Sequence, residues 1–239
     1  MGKSPAIQRL MKLIDKVAPT DAAVLLTGEN GTGKELAARA LHERSLNRQG
    51  SLVAVNCSAI SSGLAESELF GTIKGAFTDA TDHGGYIAAA SGGTLFLDEV
   101  ADFPLEQQAK MLRLLETRDF RRVGCSEAEN ANFRLISASN VDLAERVREG
   151  RFRRDFFHRL HVVEIRLPAL RDRIEDLPML TAHFLHVLKA KTQVSISALA
   201  MEKLAAYSWP GNVRELRNVL ERAIILAENV ELQPEDFEF

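Results

Sequence analysis

Gly28-Glu29-Asn30-Gly31-Thr32-Gly33-Lys34-Glu35 follows the apolar run Ala23–Thr27 and leads into a stretch where Leu36, Ala40 and Leu41 fall on one helical face. The spacing is G-x-x-x-x-G-K, and it lies at a strand-to-helix turn, the context that gives the pattern physical meaning. Glycines let the backbone curl so that successive N–H groups converge on an anion. The helix N-terminus adds positive potential there, and Lys34 reaches the outer phosphates of a nucleotide. A glycine-rich turn with an exposed lysine is the bland alternative, and it leaves the flanking strand and helix patterns unexplained. Phosphate loops usually follow the lysine with Ser or Thr, whose hydroxyl ligates Mg²⁺. Here that position is Glu35, whose carboxylate does not simply replace a hydroxyl, so Thr32 or water is left for the role.

Outward from this loop, four more short runs read as buried strands: Leu52–Asn56, Thr94–Asp98, Arg134–Ala138 and Val162–Arg166. Helical periodicity lies between them, as in Leu105, Ala109, Leu112 and Leu115. Alternation of this kind predicts a mostly parallel sheet covered on both faces. The third strand ends in Asp98-Glu99, and the carboxyl ends of parallel strands are where open α/β sheets bind ligands. Asp98 is a hard oxygen ligand for Mg²⁺, directly or through water, and Glu99 is placed to orient and polarise an attacking water. Alone, the acid pair is explained equally well as a cap for the next helix. Together with the phosphate loop it reads as a hydrolytic site.

The pattern changes near Leu167–Arg173, where Pro168 ends the last strand. Only helices are predicted beyond it, with one stripe of Leu177, Leu180, Phe184 and Leu188 and another of Val213, Leu216, Leu220 and Ile224. Asn212 with Glu215 three residues on resembles a capping box and predicts a helix start after Gly211. The expected division is an α/β part over 1–168 and a helical lid over 169–239.

Of 239 residues, 46% are hydrophobic and 26% charged, enough apolar material for a core. The formal net charge of −3, with both signs interspersed, argues against direct DNA binding by this chain. Cys57 and Cys125 form no CxxC pair and read as free thiols in a reducing compartment. No membrane-spanning run and no signal peptide are evident, so a cytoplasmic protein is expected. His183 and His186 lie three apart on a predicted helix but have no evident third metal ligand.

Several motifs in order carry a family resemblance. GENGTGKELAARALH, VAVNCSAI, ELFGTIKGAFTDA, GGTLFLDEV and WPGNVRELRNVLERA run in sequence from Gly28 to Ala223. The chain resembles, from Ser4 to its C-terminus, the AAA+ ATPase domain of bacterial sigma-54-dependent transcription activators. That resemblance implies an AAA+ P-loop NTPase fold, a five-stranded, mostly parallel sheet with a C-terminal helical lid. It implies ATP and Mg²⁺ held by Gly28, Glu29, Asn30, Gly31, Thr32, Gly33, Lys34 and Glu35, with Asp98 and Glu99 as the acidic pair. Asn56 matches the residue that holds and releases the catalytic glutamate. Asn140 matches the sensor of the γ-phosphate, and Arg214 matches the second sensor on the lid. Arg153 and Arg159 match the arginines that reach a neighbouring subunit's ATP, a role suited to the planar guanidinium. Without the resemblance, the arginines read as a solvated basic face and the asparagines as turn caps.

The family's GAFTGA loop corresponds to Gly75, Ala76, Phe77, Thr78, Asp79 and Ala80, with Phe77 and Thr78 at the tip that contacts the sigma factor. The resemblance thus implies a homo-oligomeric ring, expected to be a hexamer, acting on sigma-54 RNA polymerase holoenzyme. Asp79 stands where the family has glycine, and Thr72-Ile73 where His-Glu is common. These departures bear on sigma-54 engagement rather than on hydrolysis. Together with Glu35 they keep open two alternatives: a nucleotide-gated regulatory module with weak turnover, and an activator that does not use sigma-54.

Overall fold

The computed structural model describes residues 2–60, 63–76, 81–188, 194–227 and 229–239. It divides into two compact units: Leu13–Thr27 with Lys34–Arg166, and the residues up to Lys12 with Gly28–Gly33 and Leu167–Phe239.

The first unit is built on a five-stranded parallel sheet of β1 (Val24–Thr27), β2 (Leu52–Asn56), β3 (Thr94–Asp98), β6 (Arg134–Ser139) and β7 (Val163–Arg166). The order is β2-β3-β6-β1-β7. Each expected strand is present, within a residue or so at its ends. β3 and β6 are buried almost throughout, as expected for central parallel strands covered on both faces. Helices α2 (Lys34–Glu43), α3 (Ala65–Phe70), α4 (Gly85–Ala90), α5 (Leu105–Thr117), α6 (Leu143–Arg148) and α7 (Arg154–Leu160) belong to this unit, as does the end of α1 (Pro5–Val17). Leu25, Val55, Leu95, Leu97 and Leu135 share its core with Phe103, Phe152 and Phe156. Phe152 stacks on Phe156 at 5.4 Å between ring centroids.

Two helical faces differ from expectation. In α2, Leu36 is 60% exposed, and the buried face is Ala37, Ala38, Ala40 and Leu41. Small side chains let this helix lie close to the sheet, and Leu36 falls just outside the contact. In α5, Leu105 is exposed while Gln107, Gln108, Met111, Leu114 and Leu115 are buried. Gln108 is tolerated inside because its amide is used at both ends. Its Nε2 donates to Phe103 O at 2.7 Å and its Oε1 accepts the Arg153 N–H at 2.8 Å. A two-residue antiparallel pair, β4 (Asp119–Phe120) with β5 (Glu129–Asn130), follows α5 and is too short to leave a sequence pattern. Arg134 opens β6 fully buried. Its guanidinium donates to Ala18 O at 2.5 Å and Val17 O at 3.1 Å, a cation at the C-terminal end of α1.

The second unit is mainly helical, with α8 (Leu177–Val187), α9 (Ala198–Ala206) and α10 (Asn212–Leu226) around Leu170, Leu204, Trp209, Leu216 and Leu220. The expectation of helices alone is corrected by a two-residue parallel pair, β8 (Ser195–Ile196) with β9 (Glu231–Leu232). α10 begins after Gly211 as predicted, but not through an Asn212 capping box. Glu215 does reach back, accepting the Gly211 N–H at 2.8 Å. Asn212 instead has φ +53° and points its amide away from the helix, accepting the Leu170 N–H at 2.7 Å. The start of the chain is tied into this unit by Asp176, which accepts from Lys3 N, Ser4 N and Ser4 Oγ at 2.6, 2.8 and 2.7 Å.

Candidate active site

Parallel pairing puts the carboxyl ends of four adjacent strands on one edge of the sheet. Asn56 pairs with Asp98, Leu97 with Ser137, and Ser139 with Thr27. Thr27 runs on into the glycine loop, and Ser139 into exposed Asn140. The candidate residues of β1, β2, β3 and β6 are therefore gathered by strand register, not by proximity in sequence.

The loop has the curled backbone its glycines predict. Gly28, Gly31 and Gly33 have φ of +150°, +77° and +101°. A side chain at Gly31 would lie 2.1 Å from Gly211 O and 3.0 Å from Arg214 Cβ. The loop is thus packed closely against the start of α10. Buried Thr32 donates its hydroxyl to Glu29 O at 2.8 Å. Glu29 pairs with Arg171, with Arg171 Nη1 at 2.9 Å, and also accepts from Asn212 Nδ2 at 3.1 Å. Asn212 Nδ2 lies 3.0 Å from Asn30 O as well. Buried Arg173 donates to Thr32 O at 3.1 Å, and its Nε has no hydrogen-bond partner among the described residues. Arg214 and Phe239 line a cavity of about 550 Å³ with Asn30, Gly31 and Asn218. Arg222 and Glu215 complete its charged lining.

Lys34 opens α2 and is buried. Glu35 turns along the helix to Arg39, 2.8 Å away, so its carboxylate is engaged on the exposed side. What Glu35 can bring to the loop is its backbone N–H.

At the end of β3, neither acid caps the helical turn that follows: Glu99, the N-cap residue, makes no side-chain capping bond. Glu99 has φ +53°, a left-handed conformation uncommon for a residue with a side chain and frequent at functional sites. Its N–H donates to Asp98 Oδ1 at 3.0 Å. Burial raises the Asp98 pKa above the ordinary aspartate value, opposed by that N–H and by the Lys34 ammonium. Among the described residues no three His, Cys, Asp or Glu cluster as a metal set. Mg²⁺ beside phosphates needs only one or two carboxylates, which Asp98 satisfies in type and place. Cys57, between Asn56 and Ser58, is buried, and burial with the nearby acids raises its thiol pKa, so it is core.

Asn56 does not hydrogen-bond Glu99 directly in this structure. Its Oδ1 accepts from Ser58 N at 3.0 Å and Ser58 Oγ at 2.9 Å, and Ser58 Oγ also contacts Glu99 Oε2. The arginines flank α7. Arg153 pairs with Asp155 at 2.7 Å, and Arg159 donates to Leu115 O at 2.7 Å. Both are exposed, and both find acceptors within their own chain.

Residues 1–166 match the Sigma-54 interaction domain family and residues 171–239 the AAA+ ATPase lid domain. The chain belongs to the Sigma-54 interaction domain family. It is 48% identical over 228 residues to the DNA-binding transcriptional activator HyfR of Escherichia coli, covering 94% of this chain and 34% of HyfR. It is 46% identical over 230 residues to the transcriptional regulatory protein ZraR of the same organism, covering 95% of this chain and 52% of ZraR. The chain thus spans about half the length, or less, of these relatives. The structure of NtrX from Brucella abortus in complex with ADP superposes with TM-score 0.93 at 39% identity, over 99% of this chain and 55% of that one. Its complex with ATP gives TM-score 0.91 at the same identity, over 100% and 56%.

In this Sigma-54 interaction domain, Gly75 and Ala76 are described, while Phe77, Thr78, Asp79 and Ala80 lie outside the described residues. The segment's base is held by main-chain pairing: Thr72 N to His83 O at 2.9 Å and His83 N to Thr72 O at 3.0 Å. Thr72 is buried and donates its hydroxyl to Thr81 O at 2.5 Å. Ile73 N donates to Val123 O at 3.2 Å. Sequence reading missed Ser58, Arg171, Arg173 and the loop-facing role of Asn212. Each acts by reaching residues distant in sequence or around a turn, and none carries a spacing signal of its own. Among the described residues no helix is long and apolar enough to cross a membrane.

Proposed function

We propose that this domain hydrolyses ATP within a homo-oligomeric ring and uses the cycle to remodel sigma-54 RNA polymerase holoenzyme for transcription. The observation that carries the reading is the strand register, which sets Asp98 at the end of β3 on the same sheet edge as Thr27, from which the glycine motif runs to buried Lys34. Hydrolysis of a triphosphate needs a cation for the phosphates and an acid for the metal in mutual range.

In this reading the N–H groups of Gly28–Lys34 and the Lys34 ammonium bind the phosphates, and Asp98 holds Mg²⁺. The bound Mg²⁺ supplies charge neutralisation at the phosphate oxygens. Glu99 orients and polarises the attacking water, and Asn140 contacts the γ-phosphate from the end of β6. Arg214 contacts the nucleotide from the residue 169–239 lid, and Arg153 and Arg159 act on a neighbouring protomer's nucleotide. Their pairing with Asp155 and Leu115 O is then exchanged for phosphate on assembly. The stem at Thr72 and His83 carries residues 75–80 towards the sigma factor. Membership of the family and likeness to the ATP- and ADP-bound NtrX structures support nucleotide use.

The test is steady-state phosphate release across a range of protein concentrations, with Glu99→Gln alongside. Turnover per protomer that climbs with concentration and vanishes in Glu99→Gln supports the motor. Concentration-independent turnover removes the ring from the reading. Trapping with a transition-state analogue of ATP, followed by co-migration with purified sigma-54, tests the transcriptional part separately. Stable trapping without sigma-54 association leaves an ATPase whose target lies elsewhere.

A further inference from the structure

Ser58 is placed by its neighbours to act on Glu99. β2 ends at Asn56, and the Asn56 side chain closes a tight turn by accepting the Ser58 N–H at 3.0 Å. That turn fixes the direction in which the Ser58 side chain leaves the backbone. Cys57 N donates to Asp98 O at 2.9 Å, so the turn is also pinned to the last residue of β3. The result is a hydroxyl that contacts Asn56 Oδ1 at 2.9 Å on one side and Glu99 Oε2 on the other.

A serine hydroxyl carries one proton and can donate only once at a time. Asn56 Oδ1 and a Glu99 carboxylate oxygen are both acceptors, so the Ser58 proton must be given to one of them. Donation to the ionised carboxylate is the stronger choice, because charge-assisted bonds exceed neutral ones. Asn56 Oδ1 then remains satisfied by the Ser58 N–H. Glu99 is already held at φ +53° by its backbone. The Ser58 hydroxyl fixes the remaining freedom, the direction of the carboxylate.

We propose that Ser58 is a positioning residue for hydrolysis. Asn56 sets the turn, the turn aims the Ser58 hydroxyl, and the hydroxyl holds the Glu99 carboxylate in the orientation it uses towards water. The coupling of Asn56 to Glu99 therefore runs through Ser58. This rests on the proposed hydrolytic role of Glu99.

The experiment measures kcat and KM for ATP, and thermal melting, in the full chain and in Ser58→Ala, Ser58→Thr, Glu99→Gln and the double variant Ser58→Ala/Glu99→Gln. Loss of one hydrogen bond to a charged group that matters only when water is attacked predicts a fall in kcat of about tenfold or more in Ser58→Ala. KM and the melting temperature stay near those of the parent. Ser58→Thr restores most of kcat, because it returns the hydroxyl to the same turn. In the Glu99→Gln background, Ser58→Ala changes nothing further, since both act on one step. Unchanged or raised kcat in Ser58→Ala overturns the proposal, as does a Thr variant as slow as the Ala variant. If Glu99→Gln itself turns over as fast as the parent, the hydrolytic reading of Glu99 has failed, and that failure is distinguishable from one at Ser58.

Discussion

A carboxylate buried beside other acids is costly to fold and useful once folded. Asp98 carries this conflict: burial raises its pKa, and Glu99 and Glu35 add to the rise, while the Glu99 N–H and Lys34 oppose it. Because the folded state holds this proton more tightly than the unfolded chain, the group's contribution to stability declines as pH climbs from the unfolded pKa to the raised one. The full penalty is present once the pH exceeds the raised pKa. Asp98→Asn is therefore expected to raise the melting temperature at pH 7 while lowering ATP turnover about a hundredfold or more. Melting curves at pH 7 and phosphate release on the same samples check both parts, and a less stable variant contradicts the sign. Gly31 makes the opposite trade. Gly31→Ala must place a methyl against Gly211 O in a left-handed backbone conformation, at φ +77°. The backbone strain alone costs roughly 1–2 kcal/mol. A lower denaturant midpoint is expected together with weaker nucleotide binding by titration.

Elements set how these residues are presented. The strand pairing of β2, β3, β6 and β1 lines up Asn56, Asp98, Ser139 and Thr27 on one edge, although they are scattered over more than a hundred positions of the chain. The base of the segment leading to residues 77–80 is likewise an element property, since Thr72 bridges His83 and Val123 through the backbone. Its side chain adds the bond to Thr81 O. Thr72→Val keeps the shape and removes that part-buried bond, at a cost of about 0.5–1.5 kcal/mol locally. Faster protease cleavage between residues 72 and 83 is expected, with kcat for ATP unchanged. Equal cleavage rates in the two proteins would show that the main-chain pairing alone holds the stem.

At the scale of the whole molecule, the proposed function requires more than one copy. Arg153 and Arg159 sit at the two ends of α7, exposed. If each serves a neighbour, then Arg159→Ala has a sound site but lacks one of the two arginines it lends, and Glu99→Gln has the reverse. Arg159→Ala alone is expected to fall by about a thousandfold, the usual scale for a lost arginine in trans, and Glu99→Gln alone to lose its turnover. Mixing the two restores part of the turnover, because an Arg159→Ala protomer beside a Glu99→Gln protomer has a complete site. A mixture no faster than its components would place Arg159 in its own protomer's chemistry.

The strands, the glycine loop, the acid pair and the helical character of the C-terminal part were legible from sequence, because each rests on local spacing: alternation, helical periodicity and turn residues. Local spacing misplaced Leu36 and Leu105, since which part of a helix faces the core depends on what it packs against. It also gave Asn212 to helix capping, whereas its amide is spent on Leu170, Glu29 and Asn30. Composition and order of residues were enough to determine the family and the class of fold of this domain. Tertiary structure alone decided that Ser58 stands between Asn56 and Glu99, that Arg134 is buried against the end of α1, and that Arg173 reaches Thr32. The physical reason is that a hydrogen bond depends on where two groups meet in space, and chain separation carries no record of that meeting.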